Sequence, residues 1–321
     1  TAPAPQKTSE GDGSVDFQVT EPSFTLEQVA GLKSQKNELK ELIFLALNHN
    51  DVFINLGRKG VRGIILHGPS GCGKSLMAEA MAGSFAGDNL KFIKVKAVNF
   101  FSTNANQSEA RVRALYRAAM NASPCLVLID NLEMISQGKS GGGKDIERKI
   151  ANQLAECLDQ VWRDDEHFVF TIATTNKIDL VDQMLRQNPR FSREIPIGIP
   201  DFKRRRKIVK AIASTIAFDP EGLCLDTIAR ATEGYLPSDI ELLFTEAATF
   251  AAKRIVCGDC RPEITMEDIK LSLGLVQPSM RREGFSKLPD VSFEDIGGLE
   301  AVKEDLKVAI VNAILHPEIY E

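Results

Sequence analysis

The chain has 321 residues, of which 43% are hydrophobic and 26% charged, with a formal net charge of −5 and a pI near 5.6. That length buries a sizeable core and suffices for more than one domain. The acidic balance excludes a global basic field for holding nucleic acid non-specifically, and no apolar run approaches the ~18 residues of a membrane span.

Residues 1–23 are rich in Thr, Ala, Pro, Ser, Gly and charge, a composition that predicts a flexible linker. No leader pattern opens it, and the first residue is Thr, as in a processed chain. Strand-like apolar runs then alternate with helical periodicity, which predicts an α/β fold with a parallel sheet. Strands are expected at Gly63–His67, Lys91–Val95, Cys125–Ile129, Phe168–Ala173 and Glu194–Ile199. One helix is expected over Leu76–Ala86. Another follows Lys144, where Ile146, Ile150, Leu154, Leu158 and Trp162 recur every four residues with charges between them. The glycine-rich stretch Gly138–Lys144 before it reads as a flexible connector.

Beyond Pro200 the strand-like runs stop. Leu223–Ile255 and Thr265–Leu273 read as helices, so a small helical domain is expected at 201–275, after a larger α/β domain at 24–200. Lys203-Arg-Arg-Arg-Lys207 opens that domain's first helix, with Ile208, Val209 and Ile212 turning inward. The basic run reads as a solvated helix face rather than an import signal or an RNA contact. Of the six cysteines (Cys72, Cys125, Cys157, Cys224, Cys257 and Cys260), four lie in apolar or glycine-rich runs, as reduced thiols do. Cys257-Gly-Asp-Cys260 has zinc-like spacing, yet no second pair or His accompanies it, and it reads as a turn after a helix. Leu26-Glu-Gln-Val-Ala-Gly-Leu32 is echoed near the far end as Phe293-Glu-Asp-Ile-Gly-Gly-Leu299, and the match runs without gaps to His49 and His316. The chain is therefore expected to end as a second copy of its module begins.

Gly68-Pro69-Ser70-Gly71-Cys72-Gly73-Lys74-Ser75 fits G-x-x-x-x-G-K-[ST], the Walker A pattern, between a strand-like run and a helical one that opens at Leu76. Its glycines let backbone N–H groups turn inward around phosphates at the positive end of a helix. Lys74 is expected to reach the β- and γ-phosphates of ATP, and Ser75 to ligate Mg²⁺. Leu126-Val-Leu-Ile-Asp130 is an apolar strand ending in an acid. After a phosphate loop, Asp130 is expected to hold the Mg²⁺ through its water shell. Thr171-Ile-Ala-Thr-Thr-Asn176 is a further strand with an amide at its tip. Asn176 can orient water near the γ-phosphate there, the alternative being a turn-forming Asn, which is common at a strand end.

Together with Arg190-Phe-Ser-Arg193-Glu, Gly198-Ile-Pro-Asp201 and Gly234–Asp239, these residues resemble the AAA ATPases of the valosin-containing-protein type, over about residues 24 to 321. The resemblance implies a five-stranded parallel sheet domain with a helical lid, and homo-hexamers with nucleotide at each subunit boundary. It implies an adenine side at Val29 and Ala30, a lid contact at Ser238, and Arg190 as a finger toward the neighbouring subunit's γ-phosphate. Leu66–Ser75, Pro124-Cys125, Lys144–Lys149 and Val276–Phe285 look most like the nuclear, ribosome-assembly branch of that family. That likeness implies a linker at 276–290, the truncated start of a second module at 291–321, and action on protein partners in large-subunit ribosome precursors in the nucleus and nucleolus.

The chain departs from the family pattern in several places. Asn131 stands where Glu usually orients the attacking water, and a neutral amide cannot accept a proton. Glu133, two residues on, must reach that water from a different position and is not expected to substitute. The first of the family's two fingers falls on Gln187. Arg186 beside it is a substitute by position, and Arg193 reads as a structural pairing residue. The pore segment Thr103-Asn-Ala-Asn106 carries Asn104 where an aromatic or aliphatic grip is usual. Pro237 replaces a lid Gly, and Gln28-Val29-Ala30 replaces Asp-Ile-Gly. The last two changes modify nucleotide binding without abolishing it, whereas the changes at the water-orienting position, the finger and the pore agree in predicting a module that binds ATP and seldom turns it over.

Overall fold

The computed structural model describes residues 17–102, 105–135, 144–216, 224–256, 263–279 and 300–306. Five strands form one sheet: β1 (Gly63–His67), β2 (Lys91–Lys96), β3 (Cys125–Asp130), β4 (Val169–Thr175) and β5 (Arg193–Pro196). Their order is β2-β3-β4-β1-β5 and every pairing is parallel. Parallel strands covered on both faces read as unbroken apolar runs, which is why β1, β3 and β4 stood out in the sequence. β5 stops at Pro196, short of the expected Ile199. Its ladder partner β1 ends at His67, and the last bond available to it runs from Ile197 N to His67 O at 2.7 Å.

Alternate side chains of each strand point to opposite faces. Ile65, Val127, Ile129 and Ala173 join α4 (Ala105–Asn121) and α5 (Lys144–Arg163) in one core. The other face is covered by α3 (Lys74–Ser84), against which α1 (Lys33–Asn48) packs. In α5 the four-residue recurrence is a buried stripe at Ile150, Leu154 and Leu158. It ends at a half-buried Trp162, with the Lys59 ammonium 5.5 Å from the ring centre. A short helix α2 (Asn50–Asn55) follows α1.

The linker expected over residues 1–23 does not extend to residues 17–23, which lie against the sheet domain. Phe17 meets Phe100 at 6.5 Å between ring centres, and Thr20 N donates to Phe92 O at 2.8 Å. Ser23 N donates to Glu79 Oε1 at 3.0 Å, while Lys94 holds the other oxygen of that buried carboxylate at 2.6 Å. Composition did not reveal this because most of the anchoring is through backbone groups.

The helical domain holds α6 (Phe202–Ala213), α7 (Leu225–Ala231), α8 (Pro237–Val256) and α9 (Met266–Leu275). The run expected as Leu223–Ile255 is two helices. Gly234 adopts φ +77°, which side-chain-bearing residues rarely adopt, and Pro237 takes the first position of α8. Val209, Ile228, Leu243, Phe244 and Ile269 form the domain's core. Asp201 caps α6 by accepting from Arg204 N at 2.8 Å. The basic run is not a uniformly solvated face. Arg205 is buried and donates to Ala229 O and Pro200 O at 3.1 and 3.0 Å, while Lys203, Arg206 and Lys207 are exposed.

Thr103, Asn104, the 138–143 loop, Cys257, Cys260, residues 280–290 of the linker and the echo at Phe293–Leu299 lie outside the described residues. A second compact unit begins at Ser279, and its described helix is Glu300–Leu306. Among the described residues no helix is long and apolar enough to cross a membrane.

Candidate functional site

β4 lies between β1 and β3, with His67 paired to Thr175 and Ile129 to Ala173. This register sets three strand ends in a row. From β1 comes the Gly68–Ser75 loop, from β3 Asp130 and Asn131, and from β4 Thr174, Thr175 and Asn176. Open parallel sheets bind ligands at such carboxyl ends.

Side-chain bonds join the three ends. Lys74, 6% exposed, donates through Nζ to Gly68 O at 2.7 Å, Pro69 O at 2.8 Å and Asn176 Oδ1 at 2.8 Å. Ser75 Oγ donates to Asp130 Oδ1 at 2.6 Å, and Thr174 Oγ1 donates to the same oxygen. Asn131 N donates to Thr174 Oγ1 at 3.2 Å. Asn131 itself stands at φ +60°, a left-handed conformation that Asn tolerates better than most residues. Asn176 Nδ2 donates to Glu133 Oε1 at 2.9 Å, from a short 3₁₀ turn, Leu132–Ile135, that follows β3.

The loop delivers the start of α3 to this cluster. Gly73 is its N-cap, in the left-handed region, and no side chain caps the helix. The start of α3, as the positive end of a helix, suits an anion. The oxygens fit Mg²⁺. Ser75 Oγ and Asp130 Oδ1 are hard donors 2.6 Å apart, and this ion commonly takes one or two protein oxygens beside phosphate and water. Ser75 and Asp130 would hold it, and its charge would offset that of the phosphates.

Beyond Leu76 opens a cleft of about 860 Å³ between the chain at Phe24–Lys36 and α6. Val29, Ala30 and Leu76 line it on one side and Lys207, Ile212 and Thr215 on the other. Lys36 fixes the first wall by donating to Leu26 O at 2.5 Å, and burial lowers its pKa. A largely apolar slot beside a phosphate cradle suits a nucleoside. Ser238, at the start of α8, meets the loop itself. Its N–H donates to Gly71 O at 3.2 Å, and a Cβ on Gly71 would stand 2.1 Å from Ser238 Oγ. Gly71 is glycine because the helical domain closes directly onto it.

Arg190 is not brought to this cluster. Its Nε and Nη2 each donate to an Asp159 oxygen at 2.9 Å, and Nη1 donates to Met184 O at 2.7 Å. The bonds to Asp159 raise its pKa further. Arg186 is engaged likewise, by Glu194 at 2.7 and 3.2 Å. Arg193, for which a structural pairing is expected, is exposed, and among the described residues the pair to Glu194 is made by Arg186.

The sequence reading overlooked Thr174, Asp159 and the part played by Glu133. Thr174 was the accessible one, since pairing the two strands tip to tip sets it beside Asp130. Asp159 and Glu133 are recognisable only after helix and turn are placed.

Residues 64–199 match the AAA family, the ATPase family associated with various cellular activities, and residues 223–271 match the AAA+ lid domain. The chain is 32% identical to the cell division cycle protein 48 homolog of Archaeoglobus fulgidus, over 93% of this chain and 42% of the relative. It is 30% identical to the nuclear valosin-containing protein-like protein of Mus musculus, over 95% and 41% respectively. To the ribosome biogenesis ATPase RIX7 of Saccharomyces cerevisiae it is 29% identical, over 94% and 43%. The chain thus spans less than half the length of these relatives.

Proposed function

From a chain that belongs to the AAA ATPase family, we propose the first ATPase module of a tandem protein that remodels large-subunit ribosome precursors in the nucleus and nucleolus. The observation that carries the nucleotide reading is the joined cluster of Lys74, Ser75, Asp130 and Asn176 at three neighbouring strand ends. ATP lies with its phosphates on Gly68–Ser75, its Mg²⁺ at Ser75 and Asp130, and its base in the cleft of Val29, Ala30 and Leu76. The module works as a homo-hexamer, with Arg190 serving the neighbouring site. The ribosome reading is supported by the names of two relatives, one nuclear and one a ribosome biogenesis ATPase.

Asn131 makes hydrolysis slow, because it leaves the usual water-directing carboxylate missing from that position. The module then serves chiefly as an ATP-bound scaffold for a second one. Mg·ATP is expected to raise the melting temperature of the chain, and Lys74→Ala to abolish that shift. Phosphate release is expected to be slow and to rise on Asn131→Glu. An ordinary turnover rate in the unaltered chain would refute the scaffold reading.

A second reading is a protein-unfolding segregase, which the resemblance to the valosin-containing-protein type also implies. Capture of partners from cell extracts separates the two: ribosome precursors support the first, unfolded client proteins the second.

A further inference from the structure

In the sequence Glu133 lies two residues past the position that the resemblance gives to the water-orienting Glu. Asn131 turns into the left-handed region and the 3₁₀ turn Leu132–Ile135 follows, so the chain folds back and carries Glu133 to the tip of β4. Its side chain is 5% exposed. Oε1 accepts from Asn176 Nδ2 at 2.9 Å, and Oε2 is buried and meets no donor among the described residues.

The partners of Asn176 fix which way its amide faces. An ammonium only donates and a carboxylate only accepts, so Oδ1 faces Lys74 and Nδ2 faces Glu133. Glu133 is therefore joined to the phosphate-binding lysine through a single amide. A buried carboxylate oxygen without a donor is costly, and such groups are nearly always satisfied. Phosphate oxygens bring no hydrogen to it, whereas water brings two. Asn131, the neutral amide at the usual position, competes poorly for that water.

We propose that Glu133 is the acceptor for the attacking water, with Asn176 holding its carboxylate in place. This deepens the ATPase reading and rests on it: Glu133, at a position other than the usual one, sustains the slow turnover that remains with Asn131 in place. In the reaction the water oxygen bonds to the γ-phosphorus as the bond from that phosphorus to the bridging β-oxygen breaks. The bridging electron pair stays on ADP, the water proton passes to the Glu133 carboxylate, and Glu133 later releases it to solvent. ADP and inorganic phosphate leave, and no oxidant or reductant is required.

The test measures Mg·ATP affinity and single-turnover phosphate release for the unaltered chain, Glu133→Gln, Asn131→Glu and the double substitution. Glu133→Gln is expected to leave affinity within about twofold and to slow release by about 10² or more, the usual size of a lost proton acceptor. In the Asn131→Glu background the same change is expected to cost less than about tenfold, because a second acceptor is then present. Equal losses in both backgrounds would show a merely structural role, and release unchanged by Glu133→Gln would overturn the proposal. So would undetectable release from an unaltered chain that binds ATP. Failure of the unaltered chain to bind ATP would instead refute the ATPase reading itself.

Discussion

At the residue scale, the tightest constraints lie where backbone conformation and site chemistry coincide. Asn131 combines a left-handed φ with a bond from its N–H to Thr174. A β-branched residue there is expected to destabilise the chain by roughly 1–2 kcal/mol in urea unfolding, whereas Asn131→Gly is expected to be nearly neutral. Gly71→Ala is expected to weaken ATP binding, because its Cβ drives against Ser238 Oγ and Cβ. Ser238→Gly in the same chain is expected to recover part of the loss, the remainder being strain at φ +82°. ATP-dependent melting shifts measure both. The residues legible in sequence at this scale are those with a fixed spacing. Lys74 and Ser75 are tied to the glycines, and Asp130 and Asn176 end apolar runs. Glu133 follows no such rule, because its place depends on a turn whose angle the letters do not state.

At the element scale, the strands were legible because both faces of the sheet are covered, which leaves the unbroken apolar signature in β3 and β4. Element ends were less so. β5 is limited by where its partner turns away, and the helical domain by a single glycine, neither of which periodicity registers. The start of α9 makes a prediction of its own. Thr265 and Asp268 form a reciprocal capping box, and Arg254 adds a bond to Asp268 at 3.1 Å. Burial alone would raise the pKa of Asp268, but the bonds from Thr265 and Arg254 outweigh it and hold the carboxyl below 3.8. Its contribution is then complete above that value and lost as pH falls through the lower folded pKa. The melting-temperature gap between the unaltered chain and Asp268→Asn is expected to be constant near neutrality and to shrink below about pH 3.8.

At the scale of the whole molecule, the proposed nucleotide site draws on both the sheet domain and its helical partner. The cradle belongs to one, while the cleft wall at Ile212 and the cap at Ser238 belong to the other. Arg190 stands apart, on the α5 side, held by Asp159. A bidentate pair of this kind exceeds the usual surface ion pair, so Asp159→Ala is expected to lower unfolding stability by about 1 kcal/mol.

In the proposed homo-hexamer, the geometry of that clamp has a consequence for the neighbouring subunit. A guanidinium carries five N–H donors. Described residues engage one on each of its three nitrogens, through Asp159 and Met184. One hydrogen remains on Nη1 and one on Nη2. A phosphate arriving from an adjoining copy would meet a planar fork already held at its root, with its rotamers settled when the chain folded. It would not have to prise the arginine from Asp159, so the same side chain can brace its own subunit and serve the next.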